Sequence, residues 1–295
     1  MFIRKLSLFS AVVAALASLG VVAASGSAVA TVSGDGGNRI GVLTNGGDAY
    51  VKEGGLSAGW IHELGDVRQV ALSGNRIGVL TNGGDAYVKE GGLSAGWVHE
   101  LAGVKQIALS GNRIGVLTHS GDALVKEGGL SAGWVLEENG VKELELSGNR
   151  IGIVKQSGEA LVKEGGLSAG WVSELNNVVG IDLAGNRIGV LTGSGDAYVK
   201  EGGLSAGWVH ELGGVKQLEL SGNRIGVLTG GGDAYVKEGG LSAGWVHELG
   251  NTVQIALSGN RIGVLTGGGD AYVKEGGLSA GWIHELGSVK ELALS

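Results

Sequence analysis

The segment KEGGLSAGW occupies residues 52–60 and recurs unchanged in six further copies along the chain. The copies begin 37 residues apart, and each contributes one of the seven tryptophans: Trp60, Trp97, Trp134, Trp171, Trp208, Trp245 and Trp282. A second segment, NRIG, keeps the same period from Asn38 to Asn260. A fixed period of this length is typical of repeat proteins, in which one unit cannot bury its apolar face without its neighbours.

Each unit contains four short apolar segments. In the second unit they span 75–81, 85–90, 96–101 and 104–110, and each is rich in Val, Ile or Leu and bounded by Gly, Asn, Ser or Asp. This pattern predicts strands joined by tight turns, and four strands of about six residues fill one unit. Because no apolar stripe at helical spacing occurs outside the first 30 residues, we expect an all-β fold of four-stranded antiparallel units.

The two ends of the repeat region predict a closed ring. The region begins with an NRIG strand at Asn38 and stops with the VKELALS strand at 289–295, so that each end lacks the strand that the other supplies. Pairing of these two strands would complete one blade and hide edges that otherwise promote aggregation. The sequence therefore predicts a closed seven-bladed β-propeller over residues 37–295.

The composition supports a folded chain without cysteine chemistry. Of the 295 residues 61 are Gly, but 43% are hydrophobic and the glycines recur in register with Val, Ile, Leu and Trp. We interpret these glycines as turn residues that adopt positive φ. Because the chain has no Cys, disulfides, zinc–thiolate sites and thiol nucleophiles are excluded.

The first 30 residues predict a secretory signal peptide. Arg4 and Lys5 precede an apolar stretch, and Ala28-Val29-Ala30 forms an A-x-A cleavage signal. An uncleaved membrane anchor is the alternative, but Ser and Gly dilute the stretch and no second apolar span follows. We therefore expect cleavage after Ala30, a short lead-in over 31–36, and a secreted mature chain that does not insert into membranes.

The order VKQIALSG, NRIGVLT, GGDAYVKEG and GWVHEL within a unit resembles the blades of tectonin and tachylectin-2-type propellers, and more distantly those of the RCC1 type. The resemblance extends over all seven units. Such propellers are often lectins or surface-recognition proteins, so the resemblance implies a lectin-like β-propeller. It transfers no individual binding residue.

Enzyme motifs and basic clusters are absent from the sequence. No G-x-S-x-G, H-E-x-x-H or P-loop pattern occurs, so we expect no enzyme, no catalytic residue and no cofactor. Equivalent histidines of different blades would lie too far apart to share a metal, and His119 falls in a turn facing solvent.

The net charge is −7 and the repeats contain no basic run, which makes nucleic acid and anionic membranes poor predictions as partners. Arg39 and Asp48 begin neighbouring strands and predict an ion pair within each blade.

The two strands that flank the GGLSA turn predict a polar and aromatic patch. Antiparallel pairing would place Tyr50 opposite His62 and Lys52 opposite Trp60, all on one face of the blade. Rings that stack and donors that bind hydroxyls are the groups a sugar site needs. In units three and four the Tyr and His positions change together, to Leu124 and Leu136 and to Leu161 and Ser173. We therefore predict five competent sites.

The predicted carbohydrate-binding residues are the four equivalent side chains of five blades: Tyr50, Lys52, Trp60, His62, Tyr87, Lys89, Trp97, His99, Tyr198, Lys200, Trp208, His210, Tyr235, Lys237, Trp245, His247, Tyr272, Lys274, Trp282 and His284. Packing of the same residues between blades is the alternative. The corresponding functional hypotheses are a secreted, monomeric, multivalent protein that binds glycans or cell-surface polysaccharide, and a non-catalytic structural or protein-interaction propeller.

Overall fold

The computed structural model of the chain describes residues 38–295, which form seven four-stranded antiparallel sheets. The predicted signal peptide and lead-in lie outside the described residues. Within the described range, no helix has the length and apolar character needed to cross a membrane.

The strands of each unit follow one order. The NRIG strands are β1 (Arg39–Thr44), β5 (Arg76–Thr81), β9 (Arg113–Thr118), β13 (Arg150–Lys155), β17 (Arg187–Thr192), β21 (Arg224–Thr229) and β25 (Arg261–Thr266). The strands after them are β2 (Ala49–Glu53), β6 (Ala86–Glu90), β10 (Ala123–Glu127), β14 (Ala160–Glu164), β18 (Ala197–Glu201), β22 (Ala234–Glu238) and β26 (Ala271–Glu275). The outer strands are β3 (Ile61–Leu64), β7 (Val98–Leu101), β11 (Val135–Glu138), β15 (Val172–Leu175), β19 (Val209–Leu212), β23 (Val246–Leu249) and β27 (Ile283–Leu286). The inner strands are β4 (Val67–Ser73), β8 (Val104–Ser110), β12 (Val141–Ser147), β16 (Val178–Ala184), β20 (Val215–Ser221), β24 (Thr252–Ser258) and β28 (Val289–Leu294).

The chain closes as the sequence predicts. The sheet order β28-β1-β2-β3 places the last strand beside the first, with Ile40 opposite Leu294 and Thr44 opposite Val289. Neighbouring inner strands contact one another around the whole ring, including β28 with β4. The prediction of a closed seven-bladed β-propeller with four antiparallel strands per blade is confirmed.

The hydrophobic core consists of seven clusters, each lying between two neighbouring blades. In one of them Leu43 and Val51 of the first blade pack against Val70 and Leu72 of the next. Each blade therefore buries its apolar faces against its neighbours, which is why no unit is expected to be stable alone.

The interpretation of the glycines as turn residues is correct for some of them and wrong for those inside strands, which are one glycine in every NRIG strand and Gly180 in β16. Gly232, in the GGGD turn, has φ +88°, as a hairpin turn requires. Gly78, in contrast, lies inside β5, where an added Cβ would come within 2.9 Å of Cδ1 of Ile107 in the next blade. Glycine is needed there because neighbouring blades approach closely, and not because of the backbone conformation.

Candidate functional site

The predicted contact between tyrosine and histidine is present. Tyr50 lies opposite His62 in the β2–β3 pair, and their ring centroids are 5.1 Å apart with an edge-to-face angle of 66°. The same geometry recurs in the four other units that keep both residues. The contact explains why the two residues change together in units three and four.

An acidic side chain completes this cluster. Nε2 of His62 lies 3.2 Å from Oδ1 of Asp48, and both side chains are about half exposed. We call the Tyr50, His62 and Asp48 side chains, with their equivalents in four other units, the Tyr–His–Asp clusters. In unit four a smaller polar pair takes this place, because Oγ of Ser173 donates to Oε1 of Glu159 at 2.7 Å. His119, as expected, is exposed in a turn.

The predicted site lysines are buried and have other partners. Lys52 is 1% exposed, and its ammonium donates to the carbonyl of Leu56 and pairs with Glu285 of the preceding blade. The ammonium also lies 5.0 Å from the ring centre of Trp60. Lys52 faces Trp60 as predicted, but its donors are occupied and it is not available to a ligand at the surface. The equivalent pairs are Lys89–Glu63, Lys126–Glu100, Lys163–Glu137, Lys200–Glu174, Lys237–Glu211 and Lys274–Glu248.

The tryptophans pack at the interfaces between blades. Trp60 is partly buried against a cluster that includes Val273 of the preceding blade and Val289 of its own. Each of the other six tryptophans packs in the same way on its own interface cluster. Of the four predicted side chains, His62 is about half exposed, Tyr50 and Trp60 are partly buried against the same interface cluster, and Lys52 is buried. The positions of Tyr, Trp and Lys therefore agree with inter-blade packing.

The predicted arginine pair exists with a different carboxylate. Nη2 of Arg39 lies 2.8 Å from Glu53, while Asp48 contacts His62 instead. The register decides this, because antiparallel pairing places Arg39 at the start of β1 opposite Glu53 at the end of β2. The same Nη2 donates to the carbonyl of Gly91 in the next blade at 2.5 Å, so the pair also links blades.

Sequence reasoning missed the glutamates that hold the ring together. Glu53 and Glu63 have an equivalent in every unit, including unit four, where the neighbouring histidine becomes Ser173. The sequence signal that could have identified these glutamates is that every unit keeps them, even where the adjacent residues vary. Among the described residues no group of three or more His, Asp or Glu side chains could hold a metal ion.

The outer strands expose an apolar side chain at the same position of every blade. These residues are 39–46% exposed: Ile61, Val98, Val135, Val172, Val209, Val246 and Ile283. Each belongs to a four-residue strand at the free edge of its sheet. The rim of the ring therefore presents one short edge strand with an exposed Val or Ile per blade.

These features define the chain as a seven-bladed β-propeller with repeated surface clusters. No protein-family model matches the sequence, and no curated protein matches it. Among solved structures, human WBSCR16 is similar with a TM-score of 0.64 and 12% identity, over 84% of this chain and 93% of that one.

Structures of two yeast proteins are also similar. Yeast RCC1 (Prp20), in a structure bound to Kap60, has a TM-score of 0.60 and 10% identity, over 71% of this chain and 70% of its own. Prp20p of Saccharomyces cerevisiae has also been described for its binding to Gsp1p and histones. Kluyveromyces lactis Hsv2p has a TM-score of 0.59 and 12% identity, over 87% of this chain and 95% of its own. At these identities the likeness establishes the fold, and the RCC1-type resemblance holds at that level.

Proposed function

We propose that this chain is a non-catalytic propeller that binds a protein partner through its outer strands. The observation that carries the proposal is the exposed Val or Ile at the same position of all seven outer strands. Single exposed apolar side chains are ordinary on protein surfaces, but a regular array on free sheet edges offers many equivalent contacts to one partner. The binding of Kap60 by the structurally similar Prp20 supports this class of function.

A comparison of two charge variants tests the proposal. Val209→Asp with Val246→Asp places charges on two neighbouring outer strands, whereas Val179→Asp with Val253→Asp places them at similarly exposed sites on inner strands. Proteins retained from the medium and surface fractions of the source cells by the immobilised wild type should also be retained by the inner-strand variant and lost with the outer-strand variant. Equal retention by both variants, or no protein enriched above a blank matrix, would contradict the proposal.

A second candidate function is carbohydrate binding at the Tyr–His–Asp clusters. It is favoured by five copies of one cluster, each with a partly buried Tyr ring, an exposed His ring and a carboxylate. Unit three provides the matched control, because Leu124 and Leu136 replace Tyr and His within the same fold. Glycan-array binding that free monosaccharide inhibits, and that disappears when the five units receive this Leu pair, would support the site. A silent array would leave the protein-interaction function.

Secretion as a monomer also belongs to the proposal. It rests on the basic, apolar and A-x-A segments within residues 1–30. Amino-terminal sequencing of the protein recovered outside the cell should begin at Thr31, and light scattering should give the mass of one chain. Retention of residues 1–30 would indicate the membrane anchor instead.

A further inference from the structure

Every inner strand carries a β-bulge at its second residue. In the β4–β5 pair Val67 lies opposite Thr81 and Gln69 opposite Leu80, so that Arg68 has no residue opposite it. The same shift occurs in the six other blades. Bulges redirect a side chain, and here seven of them direct one residue per blade to the same end of the ring.

Five of these seven bulge residues are cationic: Arg68, Lys105, Lys142, Lys216 and Lys290. The other two are Val179 and Val253, which are exposed. Every other Lys and Arg within residues 38–295 forms an ion pair with a carboxylate, whereas these five form none there. The sequence shows no basic run because these residues are separated by whole repeats. Closure of the ring brings them together.

The five cations line the open centre of the ring. Two adjoining cavities of about 460 Å³ and about 620 Å³ share Lys216, Gln217 and Glu291 in their walls. Arg68, Lys105 and Lys142 line the first cavity, and Lys290 lines the second. Both volumes are within the range of cavities that enclose small molecules.

The residue that follows each bulge position on an inner strand can bond its blade to the next one. Nε2 of Gln69 donates to the carbonyl of Ile107 at 3.0 Å, and its Oε1 accepts from the Ile107 amide at 2.9 Å. Gln217 and Gln254 make the same pair of bonds to the next blade. These amides use both of their polar atoms within the ring. The charged groups in the cavity walls are therefore the five bulge cations, of which Arg68 and Lys142 also donate to backbone carbonyls, and four carboxylates: Glu143, Asp182, Glu219 and Glu291.

The charge state of the channel favours an anion. Burial lowers the pKa of Arg68 and of Lys105, because partial loss of water disfavours the charged form of each side chain. Burial also raises the pKa of the Glu143 and Glu291 carboxyls to about 7 and holds the pKa of Asp182 well above its usual range, which lowers the negative charge of these three groups near neutral pH. A bound anion would restore to the cations the solvation that the channel removes.

We propose that the channel mouth is a binding site for a small molecule with two or more anionic groups, phosphates or carboxylates, held by the five bulge cations. The site is independent of the outer strands and of the Tyr–His–Asp clusters. Cations that converge on a concave surface attract such a ligand more strongly than the same charges spread over a flat one. Phosphate or carboxylate oxygens can accept hydrogen bonds from several lysines at once.

Titration calorimetry of the purified protein with inorganic tripolyphosphate and with citrate tests the proposal. We expect one ligand per chain at about 50 mM salt, and weakening of at least about tenfold at about 500 mM salt, because screening acts on these charges. Binding of both anions indicates a site for either group, and binding of tripolyphosphate alone indicates phosphate recognition. Binding of neither anion would overturn the proposal.

Variants taken from the chain itself locate the site. Lys105→Val, Lys216→Val and Lys290→Val together copy the residue that two blades already carry at this position, and should weaken binding at least about tenfold. Val179→Lys with Val253→Lys completes the cationic ring and should strengthen binding about tenfold. The second pair of changes keeps the proposal testable if the triple variant folds poorly.

A control with the same added net charge distinguishes binding at this site from non-specific attraction of the anion to the whole protein. Val98→Lys with Val246→Lys adds the same two charges at similar exposure, on outer strands away from the channel. This control should leave the affinity for tripolyphosphate unchanged within about twofold, since exposed charges beyond a Debye length are screened. Equal strengthening by both lysine pairs, or an unchanged affinity in the triple variant, would refute a site at the channel mouth.

Discussion

Glu291→Gln should stabilise the propeller above neutral pH and have little effect in acid. Oε1 of Glu291 accepts from the Val70 amide of the next blade at 3.0 Å, in the position where Gln254 both accepts from and donates to Leu292. An ionised carboxylate can accept from Val70 but cannot donate to its carbonyl. Glu291 is only 8% exposed, so its charge is also poorly solvated.

The expected size of the effect follows from the pKa of Glu291. Burial raises this pKa from 4.5 to about 7. Each pKa unit corresponds to about 1.4 kcal/mol, so ionised Glu291 costs the fold about 3 kcal/mol above pH 8. Because the pKa is raised in the folded state, the stability is fully present below pH 4.5 and is lost as the pH rises through 7. Gln does not titrate and removes this loss.

Urea denaturation followed by tryptophan fluorescence at about pH 4.5 and about pH 8.5 measures the difference. Glu291→Gln should exceed the wild type by about 3 kcal/mol in free energy of unfolding at the higher pH and match it at the lower. Gln254→Glu is the reverse control and should lose stability at the higher pH. Glu143→Gln should show a similar gain, because burial also raises the pKa of Glu143 to about 7. The same difference at both pH values, or a less stable variant at pH 8.5, would refute the reasoning.

Three further changes test the packing and closure of the ring. Gly78→Ala should cost about 1–3 kcal/mol of unfolding free energy by urea denaturation, because the new Cβ meets Ile107, while Gly92→Ala, with no atom within 4 Å, should cost little. Lys89→Met should cost about 3–5 kcal/mol in the same assay by leaving Glu63 buried without its cation, and the added change Glu63→Leu should recover most of it; no loss in the single variant would contradict the role of the pair. Deletion of 289–295 leaves β1 without its inner neighbour and should give swapped or aggregated species by size-exclusion chromatography; a truncated chain that stays monomeric with an unchanged melting temperature would contradict the closure argument.

The sequence by itself determines the repeat, the four strands of each unit and the closure of the ring. It also predicts that Tyr50 meets His62, since the short turn between their strands sets the register. These are contacts within one blade or between chain ends, and their geometry follows from local pairing.

Only the tertiary structure decides what lies between blades and at the centre of the ring. The sequence suggests that Lys52 is an exposed site residue. Its ammonium is instead buried between blades, where it pairs with Glu285 from the other end of the chain. Arg39 pairs with Glu53 because strand register places them opposite, and Gly78 is required because Ile107 approaches it. The bulge cations are separated by whole repeats and become neighbours only when the seven blades close. Spacing along a strand determines on which side of its sheet a side chain lies. The closure of the ring determines which residues of other blades contact it.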